Sequence, residues 1–235
     1  MPTLSRLAKL ASGIAVVVFL GWLVMCNRAE AAETDIDVAL VFLTDVSGSM
    51  TPGEVVLVRD AHAVAMVSEE VLTAIGDSAT GRIAVAYVEF GSFARPVIGW
   101  TEIGSTADAA GFAGAIDALP IDRMSNITEA TRIGAGLNLA RQAFDELPFR
   151  ALRLVVDVVG DGVAEDPAVV IAATADLASR GVVVNAIPLM IDGMATVRQY
   201  YEANVRTGPG SFVTEVTAIA DLPQALRRKI VLELY

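Results

Sequence analysis

The stretch VFLTDVSGSMTP, residues 41–52, carries the most information in the chain. An apolar run ends abruptly at Asp45. Ser47 and Ser49 follow, separated by Gly48, and Thr51-Pro52-Gly53-Glu54 then reads as a helix start. Thr51 is an N-cap residue, Pro52 suits the first helical position and Glu54 completes a capping box. The stretch therefore predicts a buried strand, a short loop and a helix, with one carboxylate and two hydroxyls alternating on the loop.

Similar apolar runs recur along the chain. IDVALVFL (36–43), RIAVAYVEF (82–90), LRLVVDVV (152–159) and VVVNAIPLM (182–190) read as strands. Several are nearly continuous in Val, Ile and Leu, as strands covered on both faces are. RPVIGW (95–100) follows a GSFA turn and predicts an antiparallel edge strand, and SFVTEV (211–216) a weaker last strand. Helical patterns fill the gaps: from Pro52 to about Ile75, then roughly 107–118, 132–147, from the Asp166-Pro167 cap to about Arg180, 195–204 and 217–233. Strand and helix in alternation predict an α/β fold, a doubly wound, mostly parallel sheet of about six strands with one antiparallel edge strand and helices on both faces.

In such sheets ligands bind outside the carboxyl ends of the strands. Asp45 ends the first strand, and Asp161, in VVGDG, ends the strand 152–159. Two carboxylates flanking one crevice predict a cation. The donors Asp45, Ser47, Ser49 and Asp161 are all oxygens, which suits Mg2+, Mn2+ or Ca2+ rather than zinc.

Asp45-x-Ser47-x-Ser49 after an apolar strand resembles the metal-ion-dependent adhesion site of von Willebrand factor A domains. The resemblance extends to EATRIGAGL, where Thr131 and Gly134 match the family's threonine and glycine before a mid-chain helix. It extends also to Asp161-Gly162 at the end of the next strand. It implies that Asp45, Ser47, Ser49, Thr131 and Asp161 hold one divalent cation, with Mg2+ the expected ion. In the family the serines bind directly, the threonine directly or through water, and the aspartates mostly through water, leaving a position open to a partner's Asp or Glu. AVAYVEFG, RGVVVNAIPL, YYEANV and GPGSFV are similar to a group of secreted bacterial A-domain proteins of unassigned function. That group often has Pro-Asn-Asn after GDG, where this chain has Val163-Ala164-Glu165-Asp166.

Residues 1–31 read as a secretory signal: Arg6 and Lys9, then the apolar stretch 10–25, then Ala29-x-Ala31. An uncleaved anchor is the alternative. Cleavage leaves a domain of 32–235 with 14 basic and 27 acidic residues, net −13, against −11 for the whole chain. So acidic a surface does not follow a nucleic-acid backbone. Cys26 is the only cysteine, which removes disulfides and thiolate metal sites from the domain. A secreted or periplasmic location is expected.

Other residues take structural expectations. Asp157, inside a buried strand, is expected to bond a neighbouring loop. Glu165 and Asp166 are expected to be loop and cap, and Trp100, Tyr200 and Tyr201 to be packing. Asn126-Ile127-Thr128 spells a glycosylation acceptor by chance. The only histidine, His62, is placed with Arg59, Met66, Glu69 and Glu70 on a mostly solvated face, two to three turns from the site. With no G-x-S-x-G elbow and no phosphate loop, a protein-binding module is the expectation. A metal-dependent hydrolase, or a structural subunit in which the metal only stabilises the fold, are the alternatives.

Overall fold

The computed structural model describes residues 35–120, 130–165, 167–190 and 195–235, within a compact unit Asp35–Tyr235. The expected signal segment, Asn126, Thr128 and Asp166 lie outside the described residues. β1 (Asp35–Asp45) is the central strand, with every residue after Asp35 buried. It pairs in parallel with β2 (Ile83–Phe90) on one side and β4 (Arg150–Gly160) on the other. β3 (Ala94–Ile103) adds the antiparallel edge to β2, and β5 (Val183–Pro188) closes the other side in parallel with β4. The order is β3-β2-β1-β4-β5.

Among the described residues five strands form where about six were expected. Residues 212–216 run beside β5, with Ala186 N–H donating to Phe212 O (3.2 Å) and Val216 N–H to Pro188 O (3.2 Å). Pro188 has no N–H to return to this ladder. The pairing is reduced to isolated parallel bridges, Ala186 with Val213 and Leu189 with Val216.

Alternate residues of each strand face two helical layers. Val38, Leu40 and Phe42 pack under α1 (Pro52–Met66), α2 (Glu69–Gly76), α3 (Thr106–Asp117) and α7 (Leu222–Leu234). Val41 and Leu43 face α4 (Ile133–Asp145), α5 (Pro167–Ser179) and the segment formed by α6 (Ala195–Tyr200) and a π turn, Tyr201–Val205. Burying each such side chain contributes roughly 1.5–3 kcal/mol.

The helix expected to run from Pro52 to Ile75 is two helices. Ser68 ends the first by donating its hydroxyl to Ala65 O (2.7 Å), and starts the second by accepting from Val71 N–H (3.4 Å). Among the described residues no helix is long and apolar enough to cross a membrane.

Candidate functional site

The winding reverses between β1 and β4, and both strands end in the same crevice. Asp45 Oδ1 accepts from Ser47 N–H at 2.8 Å, which folds the loop back over the strand end. Ser47 and Ser49 hydroxyls lie 3.0 Å apart, and Ser49 Oγ donates to Asp161 Oδ1 at 2.7 Å. Thr131 Oγ1 donates to Ser47 Oγ at 3.3 Å. The five residues singled out in the sequence therefore meet at one point. Asp45 and Ser47 form a buried floor, Thr131 a wall, and exposed Ser49 and half-buried Asp161 the mouth.

Each arm is set by its own element. The Thr51–Glu54 capping box holds the start of α1: Thr51 N–H donates to Glu54 Oε2 (2.7 Å) and Glu54 N–H to Thr51 Oγ1 (3.2 Å). Arg132 N–H donates to Gly91 O (3.0 Å), tying the loop that carries Thr131 to the β2–β3 turn. Gly162 lets the two loops close, since a Cβ there would stand 3.0 Å from Thr131 Oγ1.

The electrostatics are one-sided. Asp45 is fully buried, and its Oδ2 receives no hydrogen bond. Burial first, then the like charge of Asp161, push its carboxyl up to about 7, against the hydrogen bonds from Ser47. Among the described residues no basic side chain pairs with Asp45. Two residues not foreseen from the sequence complete the floor. A Cβ on Gly160 would stand 2.6 Å from the Tyr201 hydroxyl and 2.9 Å from Asp45 Oδ2, so only glycine fits between them. Tyr201 is buried, and burial followed by the charges of Asp45 and Asp161 holds its hydroxyl protonated. It packs in the core as expected, and its hydroxyl also borders the floor of the site. The only signal was the glycine before Asp161.

Three expectations change. His62 is fully buried, not solvated. Its Nδ1 lies 2.8 Å from Val58 O, and its ring packs on Phe42 and Tyr87 at 4.7 and 5.3 Å. Burial lowers its pKa to about 4, so the ring is neutral and Nδ1–H donates to Val58. Arg59 on the same face is also buried, bonded through Nε to Glu89 at 2.8 Å. Among the described residues Asp157 meets no loop; it lies 2.6 Å from Lys229 Nζ on α7, and Lys229 also binds Glu233. Trp100 is packing as expected, donating to Ala143 O at 2.9 Å beside Phe144.

The donor chemistry fits a small hard cation: an orphaned buried carboxylate oxygen, three converging hydroxyls and a second carboxylate. Among the described residues no group of three or more His, Cys, Asp or Glu is placed to hold a metal, so hydroxyls must supply part of any such set.

Residues 35–235 match the family model described as protein of unknown function (DUF1194). The chain belongs to that family. No curated protein matches it significantly. Solved structures similar to this member of the family have the von Willebrand factor A fold. One is proximal thread matrix protein 1 from the mussel byssus, with a zinc-occupied MIDAS motif. It is 20% identical, with TM-score 0.60, over 85% of this chain and 46% of that one. Another is the vWF domain of the type V pili tip protein Mfa5 from Porphyromonas gingivalis. It is 13% identical, with TM-score 0.59, over 85% and 97%. A third is an aerotolerance-related membrane protein from Bacteroides fragilis. It is 19% identical, with TM-score 0.51, over 82% and 98%. The chain spans about half the length of the byssus protein.

Proposed function

We propose that this family member is a secreted or periplasmic, metal-dependent protein-binding module. In it a divalent cation held by Asp45, Ser47, Ser49, Thr131 and Asp161 captures a carboxylate of a partner protein. The observation that carries this is the Asp45 carboxylate, fully buried with Oδ2 unbonded beneath three hydroxyls at the sheet's carboxyl edge. A buried anionic oxygen without a partner costs free energy. A cation seated there offsets it, and when bound it supplies Lewis acidity toward an incoming acid. Ser47, Ser49 and Thr131 are neutral donors, which leaves the cation's charge available to that acid. Mg2+ suits an all-oxygen set that retains water; Mn2+ and Ca2+ share the preference for oxygen. The described neighbours that are pilus-tip or byssus proteins favour an adhesive role outside the cytoplasm, with residues 1–31 as the export signal. His62, shut in the core, is no general base for hydrolysis at the site.

Calorimetry on the exported form tests the proposal: Mg2+ or Mn2+ binding is expected, and Asp45→Ala is expected to abolish it. Absent binding, or equal binding by the variant, refutes it. Mass spectrometry of the native protein is expected to show a start near Ala32; retained residues 1–31 would mean an anchor.

A further inference from the structure

A cavity of about 490 Å³ opens beside the site, between the start of α4 and the β4–α5 loop. Gly134 and Ala135 on one side and Ala164 and Val169 on the other make its apolar walls, and Arg132, Asn138 and Glu165 its polar edge. It adjoins the candidate metal site through two segments of the chain. Arg132 follows Thr131 directly, and Ala164 lies two residues after Gly162, which packs on Thr131. Arg132 is the unexpected member. It is exposed, makes no ion pair among the described residues, and caps α4 without any side-chain hydrogen bond. A cation at a helix N-terminus opposes the macrodipole, so helix stability does not account for it. In a chain of net charge −11, a cation unpaired among the described residues and beside a carboxylate-capturing site is complementary to an acidic partner.

Resting on the function proposed above, we infer that this cavity is a specificity pocket for an acidic peptide segment. The segment's metal-bound Asp or Glu is flanked by a large apolar side chain that lodges between Ala135 and Val169, and a second acid of the segment faces Arg132. The apolar walls reward that side chain, and the metal and Arg132 fix the register of the two acids on either side of it.

The test uses fluorescence anisotropy on the exported protein in magnesium. The probes are labelled peptides Gly-Gly-Asp-Zaa-Glu-Gly-Gly and Gly-Gly-Glu-Zaa-Asp-Gly-Gly, with Zaa as Gly, Leu or Phe, and matched peptides with the second acid replaced by its amide. The bulky peptides are expected to bind at least about tenfold tighter than the Gly peptides. Ala135→Trp, on the half-exposed side of α4, is expected to remove that preference while Mg2+ calorimetry is unchanged. Arg132→Glu suits the helix start and is expected to reverse the preference for acid over amide. Equal affinity across the panel, or a preference that survives Ala135→Trp, overturns the pocket while leaving the metal site standing. No Mg2+ binding by the unmodified protein overturns the metal reading itself.

Discussion

Asp37 and Asp45 are buried near opposite ends of β1. At the amino end, Asp37 Oδ2 accepts from Ser78 Oγ (2.7 Å), Thr80 Oγ1 (2.7 Å) and Thr80 N–H (2.9 Å). Burial would raise its pKa, but these donors outweigh it and hold the carboxyl below 3.8. At the carboxyl end, Asp45 accepts from Ser47 N–H but keeps Oδ2 unbonded, and burial, then the like charge of Asp161, push its carboxyl up to about 7. Other buried carboxylates find a cation within the chain, although burial still raises Asp157 and Glu233, the latter to about 7. Glu89 lies between Arg59 and Arg95, and Asp157 and Glu233 share Lys229. The difference teaches where the fold is self-sufficient. Its core supplies partners for buried charge, while the edge where ligands bind leaves Asp45 for something external.

The contrast breaks most violently at Lys229. Lys229→Met leaves Asp157 and Glu233 buried without a cation, and a loss of about 3–5 kcal/mol is expected by urea denaturation. Next comes Asp37→Ala, which strands the donors of Ser78 and Thr80; a loss of about 2–3 kcal/mol is expected in the same assay. Asp45→Asn should behave oppositely. In chelator it removes an uncompensated buried charge, so the variant should be no less stable than the parent and about 1 kcal/mol more stable near pH 8. The smallest effect is a pH dependence. Because Asp37 titrates below 3.8 when folded, its contribution is complete above that pH and fades as pH falls through its lowered value. The stability gap between parent and Asp37→Asn should therefore narrow in acid; a gap constant from pH 6 to pH 2 would contradict the assignment.

Most of the fold was legible because hydrophobic period and turn chemistry agree along the chain. β1 is buried on both faces and reads as an unbroken apolar run. Asp45, Ser47 and Ser49 were legible because their spacing is local, and Asp161 because it ends a second strand of the same sheet; Thr131 needed the family resemblance to bring it in. What could not be read depends on which surfaces meet. His62 and Arg59 share a face with charged residues, yet α1 is enclosed by the sheet, α3 and α7, and Arg59 finds Glu89 there. Lys229 and Glu233 are spaced as an exposed helical ion pair is, but α7 turns them toward Asp157. The missing ladder bond at Pro188 removed a sixth strand, and the π turn aimed Tyr201 at Asp45.

One measurement bears most directly on the claim that Asp45 waits for a cation. Thermal unfolding of the parent and of Asp45→Asn is followed across a magnesium titration begun in chelator. The account predicts that the parent melts at progressively higher temperature as magnesium rises, by an amount worth about 2.7 kcal/mol at a hundredfold excess over Kd. The variant should start at least as stable and not move. A parent that ignores magnesium, or a variant that rises with it equally, contradicts the account.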